Sequence, residues 1–287
     1  MILLNKKIKI DKNLWEVFPK DRPENINLSW DFDNKIIYGP AISRRFGLSL
    51  GINLYPVSKI CNFNCNYCLA GEKNKRRKLM SKNEIINILE DDLNKIIIKN
   101  KLLNIIDSIG FCGNGEPTLH PDFFEISQFI IDYKEHLFNK FGKKIYIGTF
   151  SNVSFNKKII PQLSKMDILI FKLDAVSEQT FLKINRTKIR FSKIIDSLLN
   201  FPSPYIISTA LILSKKANNL KEIKSSFHKL LNKLKNPLCF QLYNINPPTP
   251  DSTIKHLYKE TIISIGKHIS KKINIPVELL MDNKYVV

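Results

Sequence analysis

Cysteine is scarce in this chain and its count is odd: five in 287 residues, of which Cys112 and Cys239 stand alone. That number, and the lack in residues 1–30 of a charged start followed by a continuous apolar stretch, argue against a secreted disulfide framework. No run of eighteen or more apolar residues occurs, so no segment is long enough to cross a membrane as a helix. The expectation is a soluble, cytoplasmic protein with reduced thiols. Internal repeats and low-complexity tracts are absent as well. Acidic residues are outnumbered 26 to 45, which leaves a net charge of +19 and asks for a polyanionic partner such as nucleic acid. Arginine, however, supplies only seven of the 45 basic residues. Lysine, asparagine and isoleucine are abundant everywhere, as in a genome drifting towards A and T codons, and lysines on every face give charge without a binding patch. Two clusters survive this discount: residues 73–78 (Lys-Asn-Lys-Arg-Arg-Lys) and the pair Arg44-Arg45. Charge runs are most often solvated surface, but these two flank the remaining cysteines.

Those cysteines fall within eight residues, Cys61-Asn62-Phe63-Asn64-Cys65-Asn66-Tyr67-Cys68, a C-x3-C-x2-C run. Three thiolates so placed can hold three irons of a four-iron cluster, and the fourth iron is then open to chemistry. Structural zinc wants four ligands in closed tetrahedral geometry, usually from two separated pairs. A Cys3His zinc site stays open as an alternative, since five histidines are available, although none lies in the run.

After residue 50 the chain alternates between short β-branched runs and longer amphipathic stretches. Strands are predicted at 51–57, 107–112, 144–150, 168–173, 205–213 and 238–243. Helices are predicted at 81–100, 123–141, 156–164, 178–184, 191–200, 219–234 and 253–272, the first opening on Ser81 with Glu84 at the capping-box position. Such alternation implies parallel pairing with right-handed crossovers. Six units are too few for the closed eight-stranded barrel, so the predicted fold is α/β, an open partial (β/α)6 barrel with helices outside. Active residues in such sheets gather where strands end, and the cysteine run follows the first strand. Residues 1–36, with Trp15, Pro19, Pro23 and Trp30, read as an N-terminal extension, 37–250 as the core domain, and 251–287 as a C-terminal helix and tail. The last stretch, 275–287, is either one more strand or an irregular closing segment.

The C-x3-C-x-aromatic-C pattern of Cys61, Cys65, Tyr67 and Cys68 resembles the signature of the radical S-adenosylmethionine superfamily. The resemblance implies a [4Fe-4S] cluster ligated by Cys61, Cys65 and Cys68, with its open iron chelated by the amino and carboxylate groups of S-adenosylmethionine. An electron then cleaves the sulfonium to methionine and a 5'-deoxyadenosyl radical, which abstracts a substrate hydrogen. Tyr67 would pack near the adenine. Gly113-Asn114-Gly115-Glu116-Pro117, forty-five residues after Cys68 at a strand end, resembles the family's Gly-Gly-Glu-Pro segment, with Asn114 in place of the usual Gly or Ser. Glycines let backbone approach a ligand, and a carbonyl or carboxylate can receive the methionine ammonium. Ser151-Asn152, and Lys172 with Asp174, resemble positions that face the ribose and methionine parts; taken alone they read as helix caps or satisfied loop residues. Leu213 and Asn244 resemble adenine-facing strand ends.

Longer words narrow the resemblance. Tyr38-Gly39-Pro40-Ala41-Ile42-Ser43-Arg44-Arg45, then Ser49-Leu50-Gly51, then Gly115-Glu116-Pro117-Thr118-Leu119-His120-Pro121, then Ile184-Asn185-Arg186 look like the subgroup related to the tRNA wyosine-base synthases. This implies an RNA substrate, a tRNA base, together with an external electron donor such as flavodoxin or ferredoxin. Arg44 and Arg45 would then contact phosphate or carboxylate, which the guanidinium fork suits. Those synthases carry additional N-terminal cysteines associated with a second cluster, whereas residues 1–60 here contain none. Two rival readings stay open: a protein- or peptide-directed radical enzyme such as a glycyl-radical activase, and a non-enzymatic metal-binding or redox-sensing module.

Overall fold

The structure, a computed structural model, describes residues 2–4, 31, 33–71, 79–99, 102–245 and 248–280. Most of the expected N-terminal extension and the basic run at 73–78 lie outside the described residues. Nine strands form one sheet in the order β1-β9-β8-β7-β6-β5-β4-β3-β2. They are β1 (Ile2–Leu4), β2 (Ile37–Ser43), β3 (Gly47–Ile52), β4 (Ser108–Phe111), β5 (Tyr146–Ser151), β6 (Ile168–Lys172), β7 (Tyr205–Leu211), β8 (Pro237–Asn244) and β9 (Val277–Leu280). From β3 to β9 every neighbour is parallel, while β2 and β1 close the two edges antiparallel. This is the expected partial barrel with one more parallel strand than six, because residues 277–280 pair with β8.

The helices that join the strands are α1 (Lys82–Leu93), α2 (Phe123–Phe141), α3 (Ile160–Leu163), α4 (Glu178–Asn185), α5 (Phe191–Leu199), α6 (Leu220–Ser225), α7 (Phe227–Leu231) and α8 (Lys259–Ser270). Ser81 caps α1 through a complete capping box with Glu84. Four elements depart most from the sequence expectation. The first strand of the parallel set occupies 47–52 instead of 51–57, because the Asn53 side chain accepts the Tyr55 amide and turns the chain there. The helix expected over 81–100 loosens after Leu93 into a π-helical stretch, Asn94–Lys99. The one expected over 219–234 breaks at Ser226, whose backbone leaves the helical region. That expected from 253 starts six residues later, since the Asp251 side chain binds the Thr253 amide and hydroxyl in a turn.

The two faces of the sheet differ. Leu48, Leu50, Ile52, Ile109, Phe111, Ile147, Phe171, Ile207, Phe240 and Leu242 point outward into the large core shared with the helices. The inner face of β3, β4 and β5 carries Gly51, Gly110 and Gly148, paired in one row. These glycines make room for the β2–β3 hairpin: a Cβ on Gly51 would meet the Tyr38 ring at 2.0 Å, and one on Gly148 would meet Phe46 at 2.5 Å. Phe46 thus plugs the barrel floor against Ile168, Ile170, Ile206 and Cys239. The turn that carries it is fixed by Ser43, whose hydroxyl accepts the amides of Arg45 and Phe46 at 3.1 Å each.

Candidate active site

The cysteine run lies in the loop that follows β3, at the carboxyl ends of the parallel strands, and its three thiols are free and partly exposed. Two segments clamp this loop. On one side the segment after β4 pairs with it as a short parallel bridge: Ile60 N–H donates to the Asn114 carbonyl (3.1 Å), and Glu116 N–H donates to the Ile60 carbonyl (2.9 Å). Only glycine fits at 115, where a Cβ would stand 2.1 Å from the Ile60 oxygen, and Gly113 adopts φ +140°. On the other side the end of α4 holds the loop. Asn64 and Asn66 N–H donate to the carbonyls of Asn185 and Ile184 (2.9 Å each), Arg186 Nε donates to the Asn64 carbonyl (2.7 Å), and Thr187 Oγ1 donates to that of Asn62 (2.9 Å).

Side-chain amides reach the sulfurs from both clamps. Asn152 Nδ2 lies 3.6 Å from Cys61 Sγ and donates to Asn62 Oδ1 at 2.9 Å, while Asn185 Nδ2 donates to Cys65 Sγ at 3.3 Å. Burial pushes the free Cys61 thiol up to about 12, helped by the Glu116 charge, and the Cys65 thiol up to about 11, helped by Asp174. Glu116 is itself buried, which raises its carboxyl; that carboxyl accepts from Thr118 Oγ1 (2.5 Å), Thr118 N–H (3.3 Å) and Asn152 N–H (2.7 Å). Its oxygens therefore tie the end of β4 to the end of β5. Ser151 Oγ accepts the Val153 amide at 3.1 Å, in the same corner.

Behind the loop the ends of β6, β7 and β8 supply a charged group. The Asp174 carboxylate takes the Tyr67 hydroxyl, Asn185 Nδ2 (3.1 Å) and the Ala210 amide (3.0 Å), and pairs with Lys172 Nζ at 3.3 Å. Lys172 also donates to the Tyr243 hydroxyl and stands 4.9 Å over the Tyr67 ring and 4.4 Å over the Tyr243 ring. Burial lowers the Lys172 pKa, but Asp174 and Tyr243 outweigh it, so the net shift is upward and the ammonium keeps its charge. Burial beside Asp174 likewise holds the Tyr67 phenol protonated.

The structure thus gathers Cys61, Cys65, Tyr67, Glu116, Asn152, Lys172 and Asp174 into one connected region. The Asn114 backbone is spent on Ile60 and on Asn53, whose Oδ1 accepts its amide at 3.0 Å. Leu213 lies beyond β7, where its carbonyl accepts the Lys255 amide (2.8 Å). Asn244 bonds the backbone of Leu257 through its side-chain amide (2.8 and 3.1 Å). The two arginines separate: Arg44 reaches the Leu280 carbonyl at 3.1 Å, whereas Arg45 enters the barrel interior. Asn62, Asn185 and Tyr243 join the site without a sequence signal of their own, beyond the Ile-Asn-Arg word that holds Asn185 and the inward alternation of Tyr243 on a predicted strand.

A model of the Radical SAM superfamily matches residues 55–230. The chain belongs to this superfamily. It is 31% identical over 207 residues to a UPF0026 protein of Helicobacter pylori (strain ATCC 700392 / 26695), a match that takes in 69% of this chain and 63% of that protein. A UPF0026 protein of Methanocaldococcus jannaschii is 31% identical over 225 residues, 75% of this chain and 65% of its own. The chain therefore spans less than two thirds of the length of these relatives. Among solved structures it is similar in fold to TYW1 with a lysine-pyruvate adduct bound (TM-score 0.54, 16% identity, 79% of this chain and 75% of that one). It also resembles anSMEcpe with bound AdoMet and a peptide (TM-score 0.52, 19% identity, 78% and 58%).

The cofactors of the superfamily are a [4Fe-4S] cluster and S-adenosylmethionine, and the residues present fit them. Three clustered thiols with amide donors on two of their sulfurs are the donor set of such a cluster. Among the described residues no three His, Cys, Asp or Glu side chains converge as they would on a single metal ion. A cubane instead spreads its thiolates over separate corners. The paired ammonium of Lys172 and the carboxylate of Asp174 suit the charged ends of an amino acid.

Proposed function

We propose that this radical SAM enzyme cleaves S-adenosylmethionine reductively at a cluster held by Cys61, Cys65 and Cys68 and directs the 5'-deoxyadenosyl radical to a hydrogen of a tRNA base. The observation that carries the cleavage step is the cysteine loop clamped between the Gly113-Asn114-Gly115-Glu116 segment and Asn185, at the carboxyl ends of the parallel strands. When bound, the cluster supplies the electron for cleavage. The chain's own residues do the rest: Asn152 and Asn185 orient the sulfurs, and Gly113 and Gly115 allow close backbone approach. Lys172, Asp174 and Tyr67 offer a charged and aromatic wall to the cofactor's methionine and adenine. Barrel walls buried on the helix side exclude water, which protects a radical from side reactions. The tRNA reading is supported by the words shared with wyosine-base synthases and by the +19 charge.

Anaerobically reconstituted protein with dithionite and S-adenosylmethionine is expected to release 5'-deoxyadenosine, and Cys65→Ala to release none above background. Equal release from both would refute the cleavage step. For the substrate, an RNA pull-down should enrich tRNA and lose it steeply with salt. Background RNA beside a retained protein or peptide would favour the activase-like reading.

A further inference from the structure

One cation of the barrel interior, Arg45, makes no ion pair among the described residues. Arg45 rises from the β2–β3 turn and is set by groups from three strands: its Nε donates to Gln241 Oε1 (3.0 Å), its Nη2 to Ser208 Oγ (3.2 Å), and its guanidinium carbon lies 4.8 Å from the Tyr243 ring centroid and 5.5 Å from that of Phe150. Among the described residues no carboxylate lies within ion-pair distance of it. Of the five N–H donors of a guanidinium, these contacts use two, on Nε and Nη2, so the Nη1–Nη2 edge, which suits bidentate recognition of an oxyanion, keeps the other three.

We propose that the Arg45 guanidinium binds an acidic group, carboxylate or phosphate, of the substrate inside the barrel. The inference rests on the radical reading above and names the chemistry its substrate must carry. A largely buried cation outside any ion pair is costly to fold around, and burial pushes Arg45 down to about 10. Glu278 acts on Arg45 through its charge and not as an ion pair: its Oε2 is taken by Gln241 Nε2 at 2.7 Å, and its buried Oε1 has no hydrogen-bond partner. A second cation, Lys172, paired with Asp174, lies against the same Tyr243 ring. Space reaches it, because Arg45, Phe150, Lys172 and Tyr243 stay partly exposed while their outward neighbours Phe171 and Leu242 are fully buried. The floor beneath, sealed by Phe46, sets the depth at which a small acidic group would stop.

Calorimetric titration of the reconstituted protein with inorganic phosphate and, separately, with succinate tests this. At least one probe should bind saturably to the wild type, and which one binds tells phosphate from carboxylate. Arg45→Met should weaken binding at least ten-fold, and Arg45→Lys less. Ser208→Asp, which places a carboxylate beside the guanidinium, should weaken it to the same degree; it decides the matter if Arg45→Met does not fold. Unchanged affinity in a folded Arg45→Met or Ser208→Asp protein would overturn the proposal. So would failure of both probes to bind the wild type, or their displacement by S-adenosylmethionine, which would give Arg45 to the cofactor. Anion binding in wild-type protein that makes no 5'-deoxyadenosine would remove the radical reading and leave the anion site standing.

Discussion

The two halves of the barrel's inner face are built oppositely. On β3, β4 and β5 the inward row is Gly51, Gly110 and Gly148, and the protein fills the space itself with Tyr38 and Phe46. On β6 to β9 the inward positions at the floor are Ile168, Ile170, Ile206 and Cys239, which pack on Phe46, and beyond them stand Lys172, Ser208, Gln241, Tyr243 and Glu278, a polar wall that is partly accessible at Lys172 and Tyr243. One half is therefore a seat for the chain's own hairpin, and the other meets that hairpin only at the floor and is polar above it. The hairpin joins the two: its turn puts Phe46 on the glycine side and Arg45 on the polar side.

If the glycine half is a packing device, its variants should change stability in order of the contacts they alter. Phe46→Ala, which empties the floor, should cost about 3–5 kcal/mol in urea unfolding. On the polar half, burial pushes the Glu278 carboxyl up to about 7, against the pull of Gln241 and Arg45. The unfolded chain releases that proton near the ordinary 4.5, so the stability it contributes is full below that pH and is lost as pH rises through 7. Glu278→Gln removes the titration and should gain up to about 3 kcal/mol at pH 8, with little change at pH 4, in paired denaturation curves. Back on the glycine side, Gly148→Ala should cost about 1–3 kcal/mol by overpacking, since its Cβ would also meet the Ile168 carbonyl at 2.7 Å. Gly110→Ala should stay within about 1 kcal/mol of wild type, because its Cβ would find the Phe46 ring at an ordinary 3.4 Å. Equal costs at 110 and 148 would break the comparison.

Much of this was legible in the sequence because the signals were local. The period of 85–97 and the Ser81–Glu84 capping box placed the start of α1, and the strand after it could be read from the short apolar run around Ile109 and Phe111. The cysteine spacing and the Gly-Asn-Gly-Glu-Pro segment could be read as a pair, and the structure shows the backbone bridge between them. What escaped was non-local. That β2 doubles back and inserts Phe46 depends on a row of glycines from three separate strands, and no single window contains it. Arg44 and Arg45 are identical neighbours in sequence, yet the turn sends one to the Leu280 backbone and the other into the interior. Asn185, an ordinary helix-end residue by sequence, holds Cys65 only because α4 ends against the cysteine loop.

Cys61, Cys65 and Cys68 are proposed to hold a cluster whose fourth iron is open to S-adenosylmethionine. Electron paramagnetic resonance of the reduced, reconstituted protein, recorded before and after S-adenosylmethionine is added, tests it most directly. A [4Fe-4S]+ signal whose g-values shift on addition is expected from the wild type, and no such signal from Cys65→Ala. A wild-type signal that S-adenosylmethionine leaves unmoved would contradict it.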